Sequence, residues 1–578
     1  MLDFIQLLKG RYQSVITQLS DESTKTIYQQ RMDQLLLAEA FIRKGELIDT
    51  EPKNPLQIAV VGPTQAGKSS LVNVLLNTTA TGVSPLAGYT VHPHGFCNSV
   101  KLMDCTGLQR YFGRFQQLQH WQLSKDRHDC YSLAESSGIS SYLPHSVLWD
   151  TPDFDSIDSS TYREGVIRTI ALADIVILVV SKEKYADQSV WELMSTLEYL
   201  HQPTLICLNK LSEGSESLLI NSLQQKWQQA RSDAFPDVVP LYYQKDSQPV
   251  WPQAQQALIQ QLATKVNLKK HDRFETELLQ KYWPSWLEPV VSEHQSLTDW
   301  QNLVDQVLVL AVDNYQRDFL NHPHHYETFQ LAMAELLNLL EIPGLASLLA
   351  NTRKILTWPL KKLIRLGRKK LHIADTSQEV ALLNQICEHT LIQMADKILE
   401  KTEHSKQTSW WKECSVLLRA QRPALMEQFA SAAQNYHINF QDDIEATAKR
   451  LYIKLQDQPM VLNSLRATRA TTDAAVIALT LHTGGIGLHD LIIAPAMLAV
   501  TSLLTESAIG SYITRLEVEL KKNQLATVKQ SLFDDTLRKK LLALPEQLSA
   551  PDHFNISLNQ LQAAETQLTE KRHGFRLL

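Results

Sequence analysis

Two regimes of hydrophobic patterning divide the chain. Up to about residue 268, short runs of branched apolar residues alternate with longer stretches whose apolar residues recur every three or four positions. The runs at 56–61, 146–150, 175–181, 204–208 and 238–243 have the length and composition of buried parallel strands. Helical spacing follows the first run at Leu71, Val72, Val74 and Leu75, and it recurs before 174, over 186–200 and over 253–266. Strands alternating with helices predict an α/β domain with a mainly parallel sheet and flanking helices. Residues 1 to about 50 read as helical, with Leu35, Leu36, Leu37, Ala40 and Phe41 ahead of Gly45 and a break at Glu51-Pro52-Lys53-Asn54-Pro55. Such a segment has no face to bury by itself, so it must pack on the α/β domain or on later helices. From about 270 onward glycine is sparse and alternation is absent, which predicts a large all-α region. The expected organisation is therefore a helical segment over 1–54, an α/β domain over 55–268 and helices over 269–578.

The first strand ends in chemistry. Gly62-Pro63-Thr64-Gln65-Ala66-Gly67-Lys68-Ser69 has the spacing G-x-x-x-x-G-K-S between a strand and a helix, the context of a phosphate-binding P-loop. Glycines let the backbone aim its N–H groups at phosphate oxygens, and the helix N-terminus adds its positive dipole end. Lys68 reaches the outer phosphates and Ser69 ligates Mg²⁺. Residues 62–70, ending at Ser70, are thus the expected nucleotide-binding loop of a P-loop domain.

Length, charge and cysteine content narrow the class. A chain of 578 residues exceeds one hydrophobic core. The net charge of −6 excludes a protein that coats nucleic acid with its whole surface, so any basic surface is local. Six cysteines without a C-x-x-C pair argue against a zinc module or disulfide scaffold and fit a reducing compartment. The first nine residues carry an early acid and lack a signal-peptide core, so the expected location is the cytoplasm, with peripheral attachment at the inner face of a membrane as an option.

Beyond the P-loop a resemblance becomes specific. Val83-Ser84-Pro85-Leu86-Ala87-Gly88-Tyr89-Thr90 resembles the first switch of bacterial GTPases related to ribosome-assembly and tRNA-modification factors, and Thr90 follows Lys68 by 22 residues, as it does in them. The resemblance implies that Thr90 closes over Mg²⁺ and the γ-phosphate. Asp150, at the end of a strand beside the P-loop, is where a Walker-B carboxylate supports Mg²⁺, usually through water. Asp150-Thr151-Pro152-Asp153 resembles the D-x-x-G motif, with Asp153 replacing the glycine whose N–H meets the γ-phosphate. The next residue, Phe154, stands where Ras-like proteins carry the glutamine that orients water, and a phenyl ring cannot do that. The chain is similar in this to dynamins and to the ribosome and tRNA factors, which implies slow intrinsic hydrolysis stimulated by self-association or a surface. Asn209-Lys210-Leu211-Ser212 resembles the guanine motif N-K-x-D, with Ser212 in place of the carboxylate that accepts two hydrogen bonds from guanine; Glu213 is a candidate substitute.

Other candidates are weaker. The segment between Phe96 and His145 is longer than a G domain needs and has no assignment from its pattern. Its Arg110, Arg114, Lys125 and Arg127 read as solvated charge or as groups approaching the phosphates, and His120, His128 and Cys130 have spacing too irregular for a metal site.

In the helical half, residues 353–370 gather eight basic residues and no acid around Trp358. That composition fits an amphipathic segment at an anionic membrane or a solvated helix face, and less well a nucleic-acid contact. Residues 474–504 hold one charge, Asp490, in two apolar arms about a Gly484-Gly485-Ile486-Gly487 hinge, each arm too short to span a bilayer; membrane tip and bundle core both fit. Charged 515–546 reads as a solvated or coiled pairing helix that meets the N-terminal helices.

The whole plan resembles a divergent bacterial dynamin-like GTPase. The resemblance implies Mg²⁺-dependent GTP binding and hydrolysis, with Lys68, Thr90 and Asp150 in catalytic roles and Ser69, Thr90 and Asp150 around the metal. It implies nucleotide contacts from residues 62–70, Asn209 and Lys210, and a helical region that self-associates or docks on an anionic membrane. A ribosome- or RNA-associated assembly GTPase and a non-hydrolysing nucleotide-gated scaffold are the rival expectations.

Overall fold

The computed structural model describes residues 1–51, 53–78, 90–124, 126–154, 159–212, 214–243, 250–321, 378–404, 408–463, 510–548 and 553–574, with residues 332 and 336. The basic stretch, the apolar hairpin, the first switch up to residue 89, Lys125 and Glu213 lie outside the described residues.

The chain divides into two compact units, one of residues 1–291 with 549–578 and one of residues 292–548. The expected boundary near 268 moves because helix α9 (His271–Tyr315) begins inside the first unit, where Leu278, Leu279, Trp286 and Leu287 join the core.

At the centre of the first unit lies an eight-stranded sheet ordered β3-β4-β2-β5-β1-β6-β7-β8. Strands β1 (Leu56–Val61), β5 (Ser146–Asp150), β6 (Ile175–Ser181), β7 (Thr204–Leu211) and β8 (Val238–Tyr242) run parallel, and β2 (His94–Asn98) pairs antiparallel with β5. The five parallel strands are those the apolar runs foretold, and β2 is an addition to them. Alternate residues feed opposite faces, as pleating requires. Ile58, Val60, Ile175 and Ile177 pack with Leu71, Leu75 and Ile259 beneath helices α3 (Lys68–Leu76) and α8 (Leu258–Ala263). Ala59, Val61, Val176 and Leu178 face the other side, towards α5 (Ser159–Leu172), α6 (Gln188–Leu197) and α7 (Glu216–Ala230).

The segment between Phe96 and His145 is structured. It forms α4 (Gly107–Phe112), β3 (Gln116–Gln117) and β4 (Cys130–Glu135), which extend the sheet beyond β2. Phe112 stacks on Tyr131 at 4.1 Å, so the extension shares the main core. β3 is two glutamines, and β4 interrupts its apolar Cys130, Tyr131 and Leu133 with Ser132, so neither presents the continuous branched run of the central strands.

The N-terminal segment is two helices, α1 (Leu2–Gln18) and α2 (Glu22–Thr50), separated at Asp21, whose side chain caps α2 by accepting from the Thr24 N–H at 2.9 Å. Both pack into the core of the first unit. Lys44 of α2 donates to the Ala173 carbonyl and pairs with Asp174, each at 2.7 Å, while Asp174 accepts from the Gln57 N–H at the start of β1. Buried Glu39 is surrounded by Lys9, Arg43 and Arg168, which fastens α1 and α2 to α5. The C-terminal residues return here: Phe554 meets the Tyr12 ring edge-on at 4.9 Å, and Lys571 pairs with Glu275.

In the second unit, Gln378–His404 and Thr408–Gln456 form an antiparallel pair joined by later residues of α9 and by Gly510–Val528. Trp300, Trp410 and Trp411 cluster in its core, with the Trp300 indole donating to the Leu541 carbonyl at 3.0 Å. Residues 515–546 differ from expectation. Leu516, Leu520, Leu532, Phe533 and Leu537 are buried in this unit, so the charged residues form only an outer face. Within the first unit, Phe554 packs on Tyr12 and Tyr28 of the N-terminal helices. No helix among the described residues is long and apolar enough to cross a membrane.

Candidate nucleotide site

Strand β1 delivers the loop. A Cβ on Gly62 would overlap the Val179 carbonyl oxygen of β6, and Gly67 sits at φ +97° where a Cβ would strike the Asn209 amide. The two motif glycines are thus required by the neighbouring strands β6 and β7 as well as by any phosphate.

Helix α3 starts at Lys68, and its first two side chains each hold an acid. The Lys68 ammonium donates to the Gly62 carbonyl at 3.0 Å and to Pro63 at 3.3 Å, and forms a buried ion pair with Asp153. The Ser69 hydroxyl donates to Asp150 Oδ2 at 2.7 Å. Asp150 is 1% exposed, and its Oδ1 has no hydrogen-bond partner among the described residues. Burial lifts the Asp150 carboxyl to about 6, with the Asp153 charge adding to it and the Ser69 bond and Lys68 opposing it. An orphaned carboxylate oxygen beside a hydroxyl is a hard-oxygen donor set that fits Mg²⁺. Among the described residues no group of three or more His, Cys, Asp or Glu forms a metal cage.

From the other side β7 brings the base motif to the loop. Asn209 Nδ2 donates to the Ala66 carbonyl at 2.9 Å, and its Oδ1 accepts from the Lys210 N–H at 2.8 Å. Lys210 has φ +59°, and its ammonium donates to the Gln65 carbonyl at 2.7 Å. Residues 62–70, Asp150, Asn209 and Lys210 are therefore one constellation. Ser212 is exposed and accepts from Ser215, placing no acid there. Thr90 is half-buried at the foot of β2, just past the undescribed loop.

Some candidates lie elsewhere. Arg110 donates to the Thr50 hydroxyl, Arg114 pairs with Glu164 and Arg127 with Asp129. His120 faces His94 at 3.4 Å, His128 lies by Tyr162 and Cys130 by Asp129, so these three do not converge. Phe154 is half-buried and lines a cavity of about 570 Å³ with Asp33 and Leu37 of α2, Arg163 of α5 and Trp191 of α6. Thr151, to which the sequence assigned no role, donates to the Val60 carbonyl at 2.7 Å and ties the turn after β5 to β1. Its position inside D-T-P was the available signal.

Residues 57–210 match the family model described as 50S ribosome-binding GTPase. The matched residues lie in the first unit, which carries a P-loop G domain. Among solved structures, the chain is similar to two chains from an oligomerised bacterial dynamin pair described as providing a mechanism for long-range sensing and tethering of membranes. The first is 13% identical, with 92% of this chain and 90% of that one covered at a TM-score of 0.40; the second is 13% identical, with 96% and 98% covered at 0.37. It is also similar to LeoA, a bacterial dynamin GTPase from ETEC, at 12% identity, 94% and 98% coverage and a TM-score of 0.21. No curated protein matches the chain.

Proposed function

We propose that the chain binds GTP with Mg²⁺ and hydrolyses it slowly, and that the nucleotide state controls helices that self-associate or dock on an anionic membrane surface from the cytoplasmic side. One observation carries the reading: Lys68 and Ser69, adjacent on the loop, engage Asp153 and Asp150 while Asn209 braces the same loop from β7. In this reading the loop amides and Lys68 bind the phosphates and Lys210 lies along the base. Ser69, Thr90 and Asp150 hold Mg²⁺, which neutralises charge on the phosphoryl group. Lys68, Thr90 and Asp150 serve catalysis by positioning, since phosphoryl transfer asks for placement and electrostatics more than for covalent chemistry.

The route to the helices runs through α5. This helix follows Asp153 and Phe154, and its Arg163 and Arg168 pair with Asp33 and Glu39 of α2. A shift of the segment at Asp153 and Phe154 would therefore pull on the N-terminal helices. The basic stretch and the apolar hairpin are the surfaces proposed for membrane contact.

A non-hydrolysing scaffold is the second reading, favoured by Phe154 facing the helical cavity where a water-orienting side chain is needed. The deciding experiment is phosphate release from GTP and from ATP, with and without anionic liposomes, beside a Lys68→Ala control. Lipid-stimulated GTP turnover that depends on Lys68 supports the first reading. Bound nucleotide without turnover in any condition selects the scaffold, and turnover indifferent to lipid redirects the search to RNA and ribosomes.

A further inference from the structure

The acid at position 153 sits where the D-x-x-G pattern has a residue without a side chain. It is 8% exposed and its Oδ1 contacts the Lys68 ammonium, the group that the proposed reading assigns to the outer phosphates. Both cannot hold Lys68 fully. When phosphates take the ammonium, Asp153 gives up that ion pair beside the acid held by the neighbouring Ser69, and negative charge gathers at one turn of α3. Leaving for solvent is hindered on both sides. Thr151 is bonded to the Val60 carbonyl, and Phe154 packs against the core of the unit.

Resting on the GTP reading, the geometry points to Asp153 as a second carboxylate for the nucleotide-bound divalent cation: Lys68 holds it in the empty site, and the cation takes it over once phosphates claim Lys68. The donor set matches. Mg²⁺ in phosphate sites is held through one or two carboxylates with substrate oxygens and water. Asp150 presents an orphaned, buried Oδ1. Lys68 and Ser69 are neighbours in sequence, so the acids they hold are gathered at the same turn of α3. The consequence is a site whose triphosphate affinity depends on the cation more steeply than in a chain with glycine at this position.

The test is equilibrium binding of fluorescent GTP and GDP analogues to the full chain, in EDTA and in saturating Mg²⁺, for the wild type, Asp153→Gly and the near-isosteric Asp153→Asn. Thermal melts establish that each variant is folded. In EDTA both variants are expected to bind GTP about tenfold more tightly than wild type, because competition for Lys68 and repulsion are gone. In Mg²⁺ that advantage vanishes or reverses, and the half-saturating Mg²⁺ concentration is lower for wild type. An advantage of equal size with and without Mg²⁺ overturns the proposal and leaves Asp153 as a competitor for Lys68 only. Indifference to the substitution in both conditions overturns it too. If the wild type binds neither nucleotide under any condition, the GTP reading itself fails, an outcome distinct from cation-independent binding.

Discussion

The side-chain amide of Asn209 donates to the carbonyl of Ala66 across 2.9 Å, joining the end of β7 to the phosphate loop. The bond involves no base, so Asn209 shapes the loop whatever nucleotide is bound. Asn209→Ala is expected to weaken GTP and ATP by a similar factor of about ten, the loss of one buried hydrogen bond. A change confined to GTP in a fluorescence titration would assign Asn209 to the base instead.

Gly67→Ala is a sharper probe of the same junction. The position needs φ +97° and lies against the Asn209 amide, so a methyl is both strained and obstructed. Nucleotide binding should be lost while far-ultraviolet circular dichroism stays that of the wild type. Retained binding would mean that the loop adopts another shape around the ligand.

Phe154→Gln restores the residue type that orients water in Ras-like sites. It should not raise turnover. The ring lines the cavity beside α2 and α6, so glutamine removes packing there and costs about 1 to 2 kcal/mol of unit stability. Chemical denaturation and single-turnover hydrolysis would check both parts; a clear rise in hydrolysis would place the side chain at the nucleotide.

These predictions separate what the chain pattern revealed from what it hid. Strand β1, the loop and Asp150 were legible because a buried parallel strand must be continuously apolar and a phosphate loop must carry glycine and lysine at fixed spacing. Asp153 was visible as a departure from the motif, but its bond to Lys68 was not, since nothing local says which way a side chain turns. The edge strand β3 was hidden because it is only two glutamines, and its neighbour β4 because Ser132 breaks its apolar run. The return of 553–574 to α1 was hidden for a different reason: Phe554 and Tyr12 lie far apart in sequence, and periodicity reports only which face is apolar, never its partner.

Glu39 offers a pH test. Burial works against its charge, but Arg168, Lys9 and Arg43 prevail and hold its carboxyl at about 2, below the ordinary 4.5. A carboxyl depressed in the folded state contributes stability that is fully present above the unfolded value and lost as pH falls through the folded one. The Glu39 contribution should therefore be intact above pH 4.5 and fade between 4.5 and 2. Glu39→Gln leaves buried cations short of a partner and should cost on the order of 3 kcal/mol at neutral pH. The gap in melting temperature between wild type and variant should close on acidification through that window, and a gap independent of pH would show that the cations are neutralised by other groups.

The second unit has a buried polar centre of its own. Glu379 Oε1 accepts from the Tyr315 hydroxyl at 2.6 Å, the Tyr436 hydroxyl at 2.9 Å and the Gln524 amide at 2.8 Å, drawing donors from three helices onto one carboxyl. His437 approaches the other oxygen at 3.6 Å. An apolar core would tolerate sliding of one helix along another, whereas three donors that need one acceptor favour a single register. Glu379→Ala removes the acceptor that the two tyrosine hydroxyls and the Gln524 amide share in a site 3% exposed and should cost about 3 kcal/mol. Glu379→Gln keeps the shape and one acceptor oxygen, so its cost should be about 1 kcal/mol. Urea denaturation with tryptophan fluorescence reports Trp300, Trp410 and Trp411 in this core together with the tryptophans of the first unit, so the loss is read as the shift of each variant's transition from that of the wild type. Equal losses for the two variants would show that the carboxyl acts by charge alone, and no loss for Glu379→Ala would show that the donors find other partners.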